Sequence, residues 1–526
     1  MTPPTGALGP MSIISALQRI VGSDHVLIDD KSRELFGMDI FFKKLPPLAV
    51  VQPGNKSELA QAVQTVTSAG LAVVPRGGGL SYSGGYLADR EDAVLFDTRR
   101  LNRIIEINTE DLYVHMETSV TWKQLNDALE GTGLRTPYWG TGSGMHATVG
   151  GTMSQNSINY GSATYGMLAD HVLALEVVLA DGQILRTSSW ATTDKPSPFA
   201  RYYGPDLTGL FLGDTGALGV KAEAVMQLIP APKATLASAA DFDSVEPFVL
   251  ALSELGRSGV CSECFGFDPY FMSQKLDSVG YKEDFMALSK VIKKAGIKEA
   301  FKVAAAGRRY LEGTGHSLHF GVDGRDNADA KSKLKIAKDI CDKHGGKALP
   351  GNTITVMRAT PFPPPFMMFG PNGDRWVPIS GIFPHSRVRD AINTCDTYMN
   401  SQSELVEKFS IEWGYVCVCI SNSMVLIEPS FYWLDEQTPF HAHYLEEKHL
   451  KRLKSHDASP EAHAAVDKIR TELSEEFRKL GAVHLQIGRT YSWLESREAL
   501  TRDVLHKIKA DFDPQGLMNP GSLGFG

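Results

Sequence analysis

The chain has 526 residues, of which 43% are hydrophobic and 22% charged, a composition typical of a soluble globular protein with two or three domains. Its 53 Lys and Arg against 61 Asp and Glu give a net charge of −8, which disfavours sequence-independent binding to nucleic acid. No apolar run is long enough for a membrane span, and the first 20 residues lack the basic region, apolar stretch and cleavage site of a leader. We therefore expect a cytoplasmic protein.

The six cysteines are too few for a disulfide framework in a chain of this length. Cys261 and Cys264 form one CxxC pair, and Cys417 and Cys419 do not supply a second pair with the spacing of a zinc site. We expect these cysteines to be buried small apolar side chains and predict no metal site.

The first hundred residues show a strand–helix–strand pattern that ends in a glycine-rich segment. Leu48–Val51 and Leu71–Val74 are strand-like, and apolar residues recur at helical spacing over Lys56–Ala69 between them, with Asn55 as the N-cap. The second strand continues into residues 74–86, VPRGGGLSYSGGY. This order predicts a compact α+β unit.

A second α+β unit is predicted over residues 106–235. A helix within Val120–Leu134 ends at a glycine and precedes a second glycine-rich segment, GTGSGMHATVGG at residues 140–151. His171–Leu185 contains two strand-like runs around an Asp-Gly pair, which is a strong hairpin signal, and Val220–Ile229 is a further strand.

From about residue 236 the glycines become sparse and amphipathic helices are predicted. Lys282–Glu312, Ala328–His344 and Pro460–Leu480 have helical spacing of apolar residues, whereas a Pro- and Gly-rich stretch within residues 345–385 is too broken for a regular helix. The chain ends in a short helix followed by DPQGLMNPGSLGFG.

The two glycine-rich segments are candidates for holding a phosphate-bearing ligand. Glycines let backbone N–H groups approach a ligand closely, and consecutive N–H groups attract anions. No GK[ST] follows the first segment and its glycines lack GxGxxG spacing, so neither a P-loop nor a Rossmann fingerprint is present. One such cluster alone fits a tight surface turn equally well, but two predict a dinucleotide lying across both.

Five motifs, in this order, resemble the vanillyl-alcohol oxidase / p-cresol methylhydroxylase (PCMH) flavoprotein superfamily. They are VVPRGGGLSYSGGY, ATVGGTMSQNS, YGMLADHVLALEVVLADGQIL, LFLGDTGALGV and FDPQGLMNPGSLG. The resemblance implies an α+β fold with a two-subdomain PCMH-type FAD-binding domain at residues 1–235, an α+β substrate-binding cap at 236–490 and a C-terminal segment, 491–526, that returns to the FAD domain.

The resemblance also implies the cofactor, FAD, and the residues that contact it. These are Pro75, Arg76, Gly77, Gly78, Gly79, Leu80, Ser81, Gly142, Ser143, His146, Thr148, Gly150, Gly151, Ser154, Gly161, Gly216, Gly219, Val220 and Asn519.

Members of the superfamily often attach FAD covalently, through a His in the first glycine segment, a Cys before TVGG or a His in the cap. This chain has Leu80 and His146 at the first two places, and WVPISGIFPHS places Ile379 or Ser380 at the third. We expect non-covalent FAD, with His146 and His385 as the alternative attachment points.

Two cap-proximal segments, RYYGPDLTGLFLG and DRWVPISGIFPHSRVRDAI, resemble the phenol-oxidising branch. That branch implies an oxidase or dehydrogenase that removes a hydride from a para-substituted phenol or benzylic alcohol. The implied catalytic residues are Tyr82, Arg489 and Tyr491, whose donors would hold a phenolate, and His484 as an acid or base. The electron acceptor would be oxygen or another protein, and a homodimer is the usual assembly.

Two other functions remain open. The 2-hydroxyacid dehydrogenases of the D-lactate/glycolate type have a C-terminal motif of which only Ile487–Arg489 survives here, and Glu428 falls where they have a metal-binding His. A flavin-carrying subunit without catalysis is the third possibility.

The cap contains a dense group of aromatic residues, from which we predict Tyr432, Trp433 and His441 as substrate contacts. Aromatic clusters also commonly fill cores. His441 and His443, at strand spacing, would share one face if they lay on a strand, as a metal ion or a base would require.

Overall fold

The computed structural model describes residues 10–271, 315–370 and 372–526. The helix predicted over Lys282–Glu312 lies outside the described residues. Within them, three main sheets and their covering helices confirm the predicted mixture of helices and sheets, and no described helix is long and apolar enough to cross a membrane.

The helices are α1 (Pro10–Val21), α2 (Asp30–Phe36), α3 (Lys56–Ser68), α4 (Trp122–Leu129), α5 (Val149–Gln155), α6 (Ser162–Tyr165), α7 (Leu207–Leu210), α8 (Val245–Ser258), α9 (Asn327–Lys343), α10 (Thr353–Ala359), α11 (Val388–Ser401), α12 (Ser403–Lys408), α13 (Pro439–Tyr444), α14 (Glu447–Leu450), α15 (Pro460–Lys479) and α16 (Ala499–Phe512).

The strands are β1 (Val26–Leu27), β2 (Ala49–Val51), β3 (Ala72–Arg76), β4 (Ala93–Asp97), β5 (Ile104–Asn108), β6 (Tyr113–Glu117), β7 (Leu134–Arg135), β8 (Val172–Val178), β9 (Ile184–Arg186), β10 (Val220–Gln227), β11 (Ile229–Pro230), β12 (Ala234–Phe242), β13 (Glu263–Phe267), β14 (His316–Gly324), β15 (Lys347–Ala348), β16 (Arg375–Pro378), β17 (Gly381–Pro384), β18 (Glu412–Ile420) and β19 (Met424–Trp433).

The first subdomain is a four-stranded sheet in the order β1-β2-β4-β3, with β2, β4 and β3 parallel. Asn55 caps α3 by accepting from the backbone N–H of Glu58, and the buried face of that helix includes Leu59, Val63 and Val66. The strand–helix–strand pattern read from the sequence is thereby confirmed. Strand β3 runs directly into the first glycine-rich segment, which places that segment at the carboxyl end of a buried strand.

The second subdomain is a five-stranded antiparallel sheet in the order β5-β6-β10-β8-β9. The predicted hairpin is confirmed: β8 pairs with β9 across a turn in which Gly182 has a φ of 81°, a conformation that favours glycine. The second glycine-rich segment follows α4 and leads into α5, so it faces the first segment across the two subdomains.

The third sheet, in the order β15-β12-β14-β13-β18-β19-β16 with β17 paired to β19, forms the cap. Helices α8, α9, α11 and α15 pack on it and bury the largest hydrophobic core of the described chain. Two of these, α9 and α15, confirm the helices predicted there. The described residues of the Pro- and Gly-rich region form the short helix α10, a 3-10 turn and the strands β15, β16 and β17. All six cysteines are buried free thiols, as expected.

The C-terminal segment packs back on the first two subdomains. Met518 forms a parallel bridge to Val73 in β3, and the backbone N–H of Asn519 donates to the carbonyl of Val73 over 2.7 Å. The buried Lys509 of α16 donates to the carbonyls of Ala217 (2.7 Å) and Met518 (2.8 Å), which ties this segment to the loop before β10.

A shielded ion network joins the second subdomain to the cap. Arg135 of β7 pairs with Asp323 over 2.7 Å, Arg358 of α10 donates to the same carboxylate over 2.6 Å, and Arg358 also pairs with the buried Glu263. Because removing one partner leaves shielded charges uncompensated, this network should be sensitive to substitution.

We expect Arg358→Met to lower the free energy of unfolding by about 3 kcal/mol, because it leaves the buried Glu263 carboxylate without its guanidinium partner. Urea denaturation followed by fluorescence measures the change. Arg325→Met is the matched control, since that side chain is 92% exposed beside Asp329 and should matter little. Equal effects of the two substitutions would contradict this assignment.

Candidate functional site

The two glycine-rich segments form opposite walls of a deep cleft. It is partly open to solvent, as a site that admits a ligand must be. The cleft is lined by Pro75, Arg76, Gly77, Gly78, Gly79, Leu80, Ser81, Gly85, Tyr86, Thr98, Thr118, Ser119, Thr141, Ser143, Ala147, Thr148, Gly150, Gly151, Thr152, Ser154, Gln155, Ser157, Thr215, Gly216, Gly219, Val220, Lys221 and Gln486.

The cleft walls approach so closely that only glycine fits at several positions. A Cβ on Gly78 would lie 2.1 Å from the carbonyl oxygen of His146, and one on Gly77 would lie 2.4 Å from Thr148 Oγ1. The absence of side chains exposes backbone to the cleft, and the buried cations Arg76 and Lys221 also line it. Exposed backbone and buried positive charge are the features that a dinucleotide diphosphate requires.

All predicted cofactor residues line this cleft except Gly142, His146, Gly161 and Asn519. Gly161 precedes α6 with a φ of 86°. The His146 ring lies edge-on to Tyr444, with ring centroids 5.4 Å apart, while its carbonyl packs on Gly78. Asn519 is fully buried behind the cleft, where its Nδ2 donates to the carbonyls of Gly85 and Thr215.

Sequence reasoning missed several polar residues of the cleft, among them Lys221 and Gln486. Lys221 Nζ donates to Asp214 Oδ1 (2.5 Å) and to Ser154 Oγ (2.9 Å), so it joins the loop before β10 to α5. The sequence signal that could have found Lys221 is its position in the otherwise apolar start of β10. Gln486 reaches the cleft from the cap-proximal segment, and no local pattern marked it.

A short cap helix covers the first glycine segment. Tyr444, at the end of α13, donates its hydroxyl proton to the carbonyl of Gly78 over 2.6 Å and accepts from Arg76 Nη2 over 3.2 Å. The cap is therefore in direct contact with the backbone that lines the cleft.

The segment Met38–Phe42 also links the first glycine segment to the cap. The buried Asp39 carboxylate accepts from the backbone N–H of Phe41 (2.8 Å), Phe42 (2.6 Å) and Gly84 (2.8 Å). Burial outweighs these hydrogen bonds and raises the pKa of Asp39 to about 6. The neighbouring Phe41 side chain is part of the hydrophobic core of the cap, so the segment Met38–Phe42 packs directly against the cap.

Beyond Gln486 lies a buried polar site that brings together two of the predicted catalytic residues. Tyr82 Oη accepts from Gln486 Nε2 over 3.0 Å, and Tyr491 Oη accepts from the backbone N–H of Ser380 over 2.7 Å. Burial raises the pKa of both hydroxyls, so both remain protonated at neutral pH.

Two charged residues act on both tyrosines. Glu428 of β19 raises the pKa of Tyr82 and Tyr491 through its negative charge, whereas Arg470 of α15 lowers both. The Arg470 side chain is 2% exposed, lies over the Phe41 ring at 4.1 Å and donates to the carbonyl of Tyr82 over 3.3 Å. Sequence reasoning missed this arginine because α15 has an ordinary amphipathic pattern.

His484 lies against the tyrosine site. Its ring stacks on Tyr491, with centroids 4.1 Å apart, and its Nδ1 lies 2.5 Å from the carbonyl oxygen of Ser380. That carbonyl can only accept, so Nδ1 carries the proton. Burial lowers the pKa of His484 to about 4, and the imidazole is therefore neutral at physiological pH.

Arg489 does not act in the phenolate-holding role read from the sequence. Its guanidinium pairs with Asp89 over 2.6 Å and donates to the carbonyl of Gly84 (2.6 Å) and to Asn519 Oδ1 (2.9 Å). These contacts engage its donors in joining the first glycine segment to the C-terminal segment. Arg470 is the arginine that the structure places beside both tyrosines.

The predicted substrate contacts divide into two groups. Trp433 and His441 have no exposed surface and pack into the cap core, and Trp433 Nε1 donates to Asp435 over 3.2 Å. Tyr432 is buried too, and its strand neighbour Trp376 lies edge-on to Tyr82, with ring centroids 5.7 Å apart.

The histidine pair predicted at strand spacing lies on a helix instead. Pro439 and the capping residue Thr438 begin α13, so His441 turns into the core while His443 is exposed. The two rings therefore do not share a face. Across the described ranges, no group of three or more His, Cys, Asp or Glu side chains is arranged to hold a metal ion.

His385, the second alternative attachment point, lies away from the cleft lining. Its Nε2 is 3.3 Å from the carbonyl oxygen of Asn422, and its ring packs near Gly256 of α8. Neither contact belongs to the glycine-rich segments.

Comparison with known proteins identifies the domain and the fold. Residues 47–188 match the FAD binding domain family. The probable mitochondrial D-lactate dehydrogenase of Danio rerio is 30% identical over 249 residues, which cover 47% of this chain and 48% of that protein. The chain thus spans about half the length of the curated relatives it matches.

Several solved structures match nearly the whole chain, among them the following two. Substrate-bound p-cresol methylhydroxylase has a TM-score of 0.74 at 16% identity, covering 98% of this chain and 97% of its own. The 4-ethylphenol oxidase of Gulosibacter chungangensis, in complex with isoeugenol, has a TM-score of 0.71 at 18% identity, covering 100% and 99%. The chain therefore has the PCMH-type FAD-binding fold, and its cofactor is FAD.

We expect Gly78→Ala to weaken FAD binding by roughly 10- to 100-fold, because the new Cβ must displace the His146 carbonyl at the cleft wall. Titration of the apoprotein with FAD, followed by flavin fluorescence, gives the dissociation constant. Gly142→Ala is the control, since a Cβ there meets its nearest atom at 3.8 Å. Similar losses in both variants would contradict the steric argument.

Proposed function

We propose that the chain is an FAD-dependent oxidoreductase that removes a hydride from the benzylic carbon of a para-substituted phenol or aromatic alcohol. The observation that carries this proposal is the buried pair Tyr82 and Tyr491, each accepting an N–H hydrogen bond and both within the field of Arg470. Such a site suits an oxygen that carries or develops negative charge.

The cleft residues are proposed to hold the cofactor. The backbone of Gly77–Gly79 and of Gly150–Gly151 would contact it, and Arg76 and Lys221 would offset its phosphate charge. When bound, FAD supplies the two-electron acceptor for the oxidation.

The tyrosines are proposed to bind the phenolic oxygen of the substrate. Each tyrosine oxygen accepts an N–H hydrogen bond, so its own proton points elsewhere, toward a substrate oxygen or, for Tyr491, toward Ser380 Oγ 3.2 Å away. The charge of Arg470 favours the phenolate over the phenol. An electron-rich phenolate donates toward its para carbon, which eases the departure of a benzylic hydride.

Glu428 is proposed to accept the phenolic proton. It extends from β19, is half-buried and acts electrostatically on both tyrosines. A carboxylate is the usual form of this side chain at neutral pH, so it can take a proton from a neutral phenol. His484, with its low pKa, is a weaker base and is proposed to orient Tyr491 by stacking.

A second candidate is a 2-hydroxyacid dehydrogenase of the D-lactate/glycolate type. The 30% identity to the probable D-lactate dehydrogenase favours it. The phenol proposal is preferred because the polar site offers tyrosine hydroxyls and one buried arginine, and because the described residues include no metal-ligand cluster of the kind implied for that branch.

The remaining partners are proposals too. Oxygen or an acceptor protein would reoxidise the flavin, and a homodimer is the proposed assembly. A catalytically silent flavin carrier is distinguished from both enzymes by a flavin that dithionite reduces but that no organic donor reduces.

We expect 4-hydroxybenzyl alcohol to bleach the flavin absorbance anaerobically, and D-lactate, D-2-hydroxyglutarate and glycolate to leave it unchanged. Tyr491→Phe should lower the rate of reduction by roughly 10- to 100-fold, since a hydrogen bond to a charged oxygen is lost. Stopped-flow absorbance measures this rate. Tyr398→Phe, which removes a hydroxyl bound to Glu472 on the cap surface, is the matched control.

The outcomes separate the candidates. Bleaching by D-lactate that a chelator abolishes would establish the hydroxyacid reaction and overturn the phenol proposal. A Tyr491→Phe variant as fast as the wild type would remove Tyr491 from the site.

The cofactor is proposed to be non-covalent, because Leu80 occupies the first attachment position and His385 lies outside the cleft lining. Acid precipitation of the yellow protein should leave the colour in the supernatant. A coloured pellet would show a covalent bond, and its loss in His146→Ala would identify His146 as the attachment point.

A further inference from the structure

We propose that Gln486 is a positioning residue that directs the hydroxyl proton of Tyr82 toward the substrate. It connects the cofactor cleft, which it lines, to the polar site, where its Nε2 lies 3.0 Å from Tyr82 Oη. This inference rests on the proposed function, because it concerns the oxygen that the two tyrosines bind.

The backbone of Gln486 is the first sign of a specific role. Its φ is 51°, in the left-handed region that few residues other than glycine adopt. Gly488, two positions later, has a φ of 54° and shows that glycine is used at such a position in the same turn. A strained backbone at a functional site indicates that the side chain contributes something glycine cannot.

The Gln486 amide has one polar partner at each end in the structure. Ser81 Oγ donates to Oε1 over 3.0 Å, and the backbone N–H of Gln486 donates to the carbonyl of Gln155 over 2.9 Å. With Oε1 engaged by Ser81, the Nε2 group faces Tyr82 as a donor. Tyr82 Oη is then an acceptor, and its proton is available for another oxygen.

Tyr491 also accepts an N–H hydrogen bond, but from the backbone rather than from a side chain. Its oxygen accepts from the backbone N–H of Ser380, which cannot reverse its role. A side-chain amide can flip, which exchanges the positions of its donor and acceptor groups. If Gln486 presented its oxygen instead, Tyr82 would donate to it and could not donate to a phenolate. With Oε1 facing Ser81, Tyr82 accepts an N–H hydrogen bond just as Tyr491 does.

Gln486→Gly tests the proposal because it removes the side chain and relieves the backbone together. We expect the affinity for phenol to fall about tenfold through loss of one oriented hydrogen bond, in a variant that still folds and binds FAD because the relieved backbone offsets part of the cost of the lost side-chain hydrogen bonds. Affinity is measured from the change in flavin absorbance. Affinity for benzyl alcohol, which lacks the phenolic oxygen, should not change.

Ser410→Gly is the matched control for backbone relief. Ser410 has a φ of 49°, is exposed on the cap and lies outside the cleft lining and the tyrosine site. The Ser410→Gly variant should have a higher melting temperature and an unchanged affinity for phenol. Unchanged phenol affinity in Gln486→Gly would overturn the proposal, and so would a lower melting temperature with the ligand preference intact, which is the signature of a structural role.

A second measurement needs no substrate. Ultraviolet resonance Raman difference spectra between the wild type and Tyr82→Phe report whether the Tyr82 hydroxyl accepts or donates its hydrogen bond. We expect an acceptor signature that disappears in Gln486→Gly. A donor signature in the wild type would overturn the inference about Gln486. Failure of every phenol to perturb the flavin, with the acceptor signature present, would overturn the proposed function alone.

Discussion

The cofactor cleft depends on one buried amide, the side chain of Asn519. Its Nδ2 donates to the carbonyls of Gly85 (2.7 Å) and Thr215 (2.6 Å), and its Oδ1 accepts from Arg489. Gly85 belongs to the first glycine segment and Thr215 to the loop before β10, so one residue fixes two walls of the cleft. An amide suits this position because it offers two donors and an acceptor from one rigid plane.

The polar site is assembled from segments that are far apart in the chain. Tyr82 belongs to the first glycine segment, Glu428 and Arg470 belong to the cap, and Gln486 and Tyr491 lie in the segment leading back to the FAD-binding subdomains. Each hydroxyl is oriented by a different donor, one a side chain and one a backbone N–H. The chemistry we propose therefore requires the cap and the first glycine segment to hold these side chains in the correct relative positions.

Much of the FAD-binding half could be predicted because its signals are local. Asn55 before an apolar-periodic helix, Asp181-Gly182 between two strands and glycines directly after a buried strand each determine structure within a few residues. The cap was less predictable. His441 and His443 gave a strand-like spacing, yet Thr438 and Pro439 nucleate a helix there, and Arg470 looked like one more charge on an amphipathic helix until tertiary packing buried it. The position of Arg489 on Asp89 likewise follows from a contact between distant segments.

The bridge between Met518 and Val73 has a consequence for biosynthesis. The residues of β3 are translated several hundred residues before Met518 and Asn519, so in the growing chain the first glycine-rich segment and the loop before β10 lack the amide that later joins them. Until then β3 also lacks the parallel partner at its outer edge, and an unpaired sheet edge can pair with other chains. This contact therefore forms late, after the cap residues between the two segments have been translated.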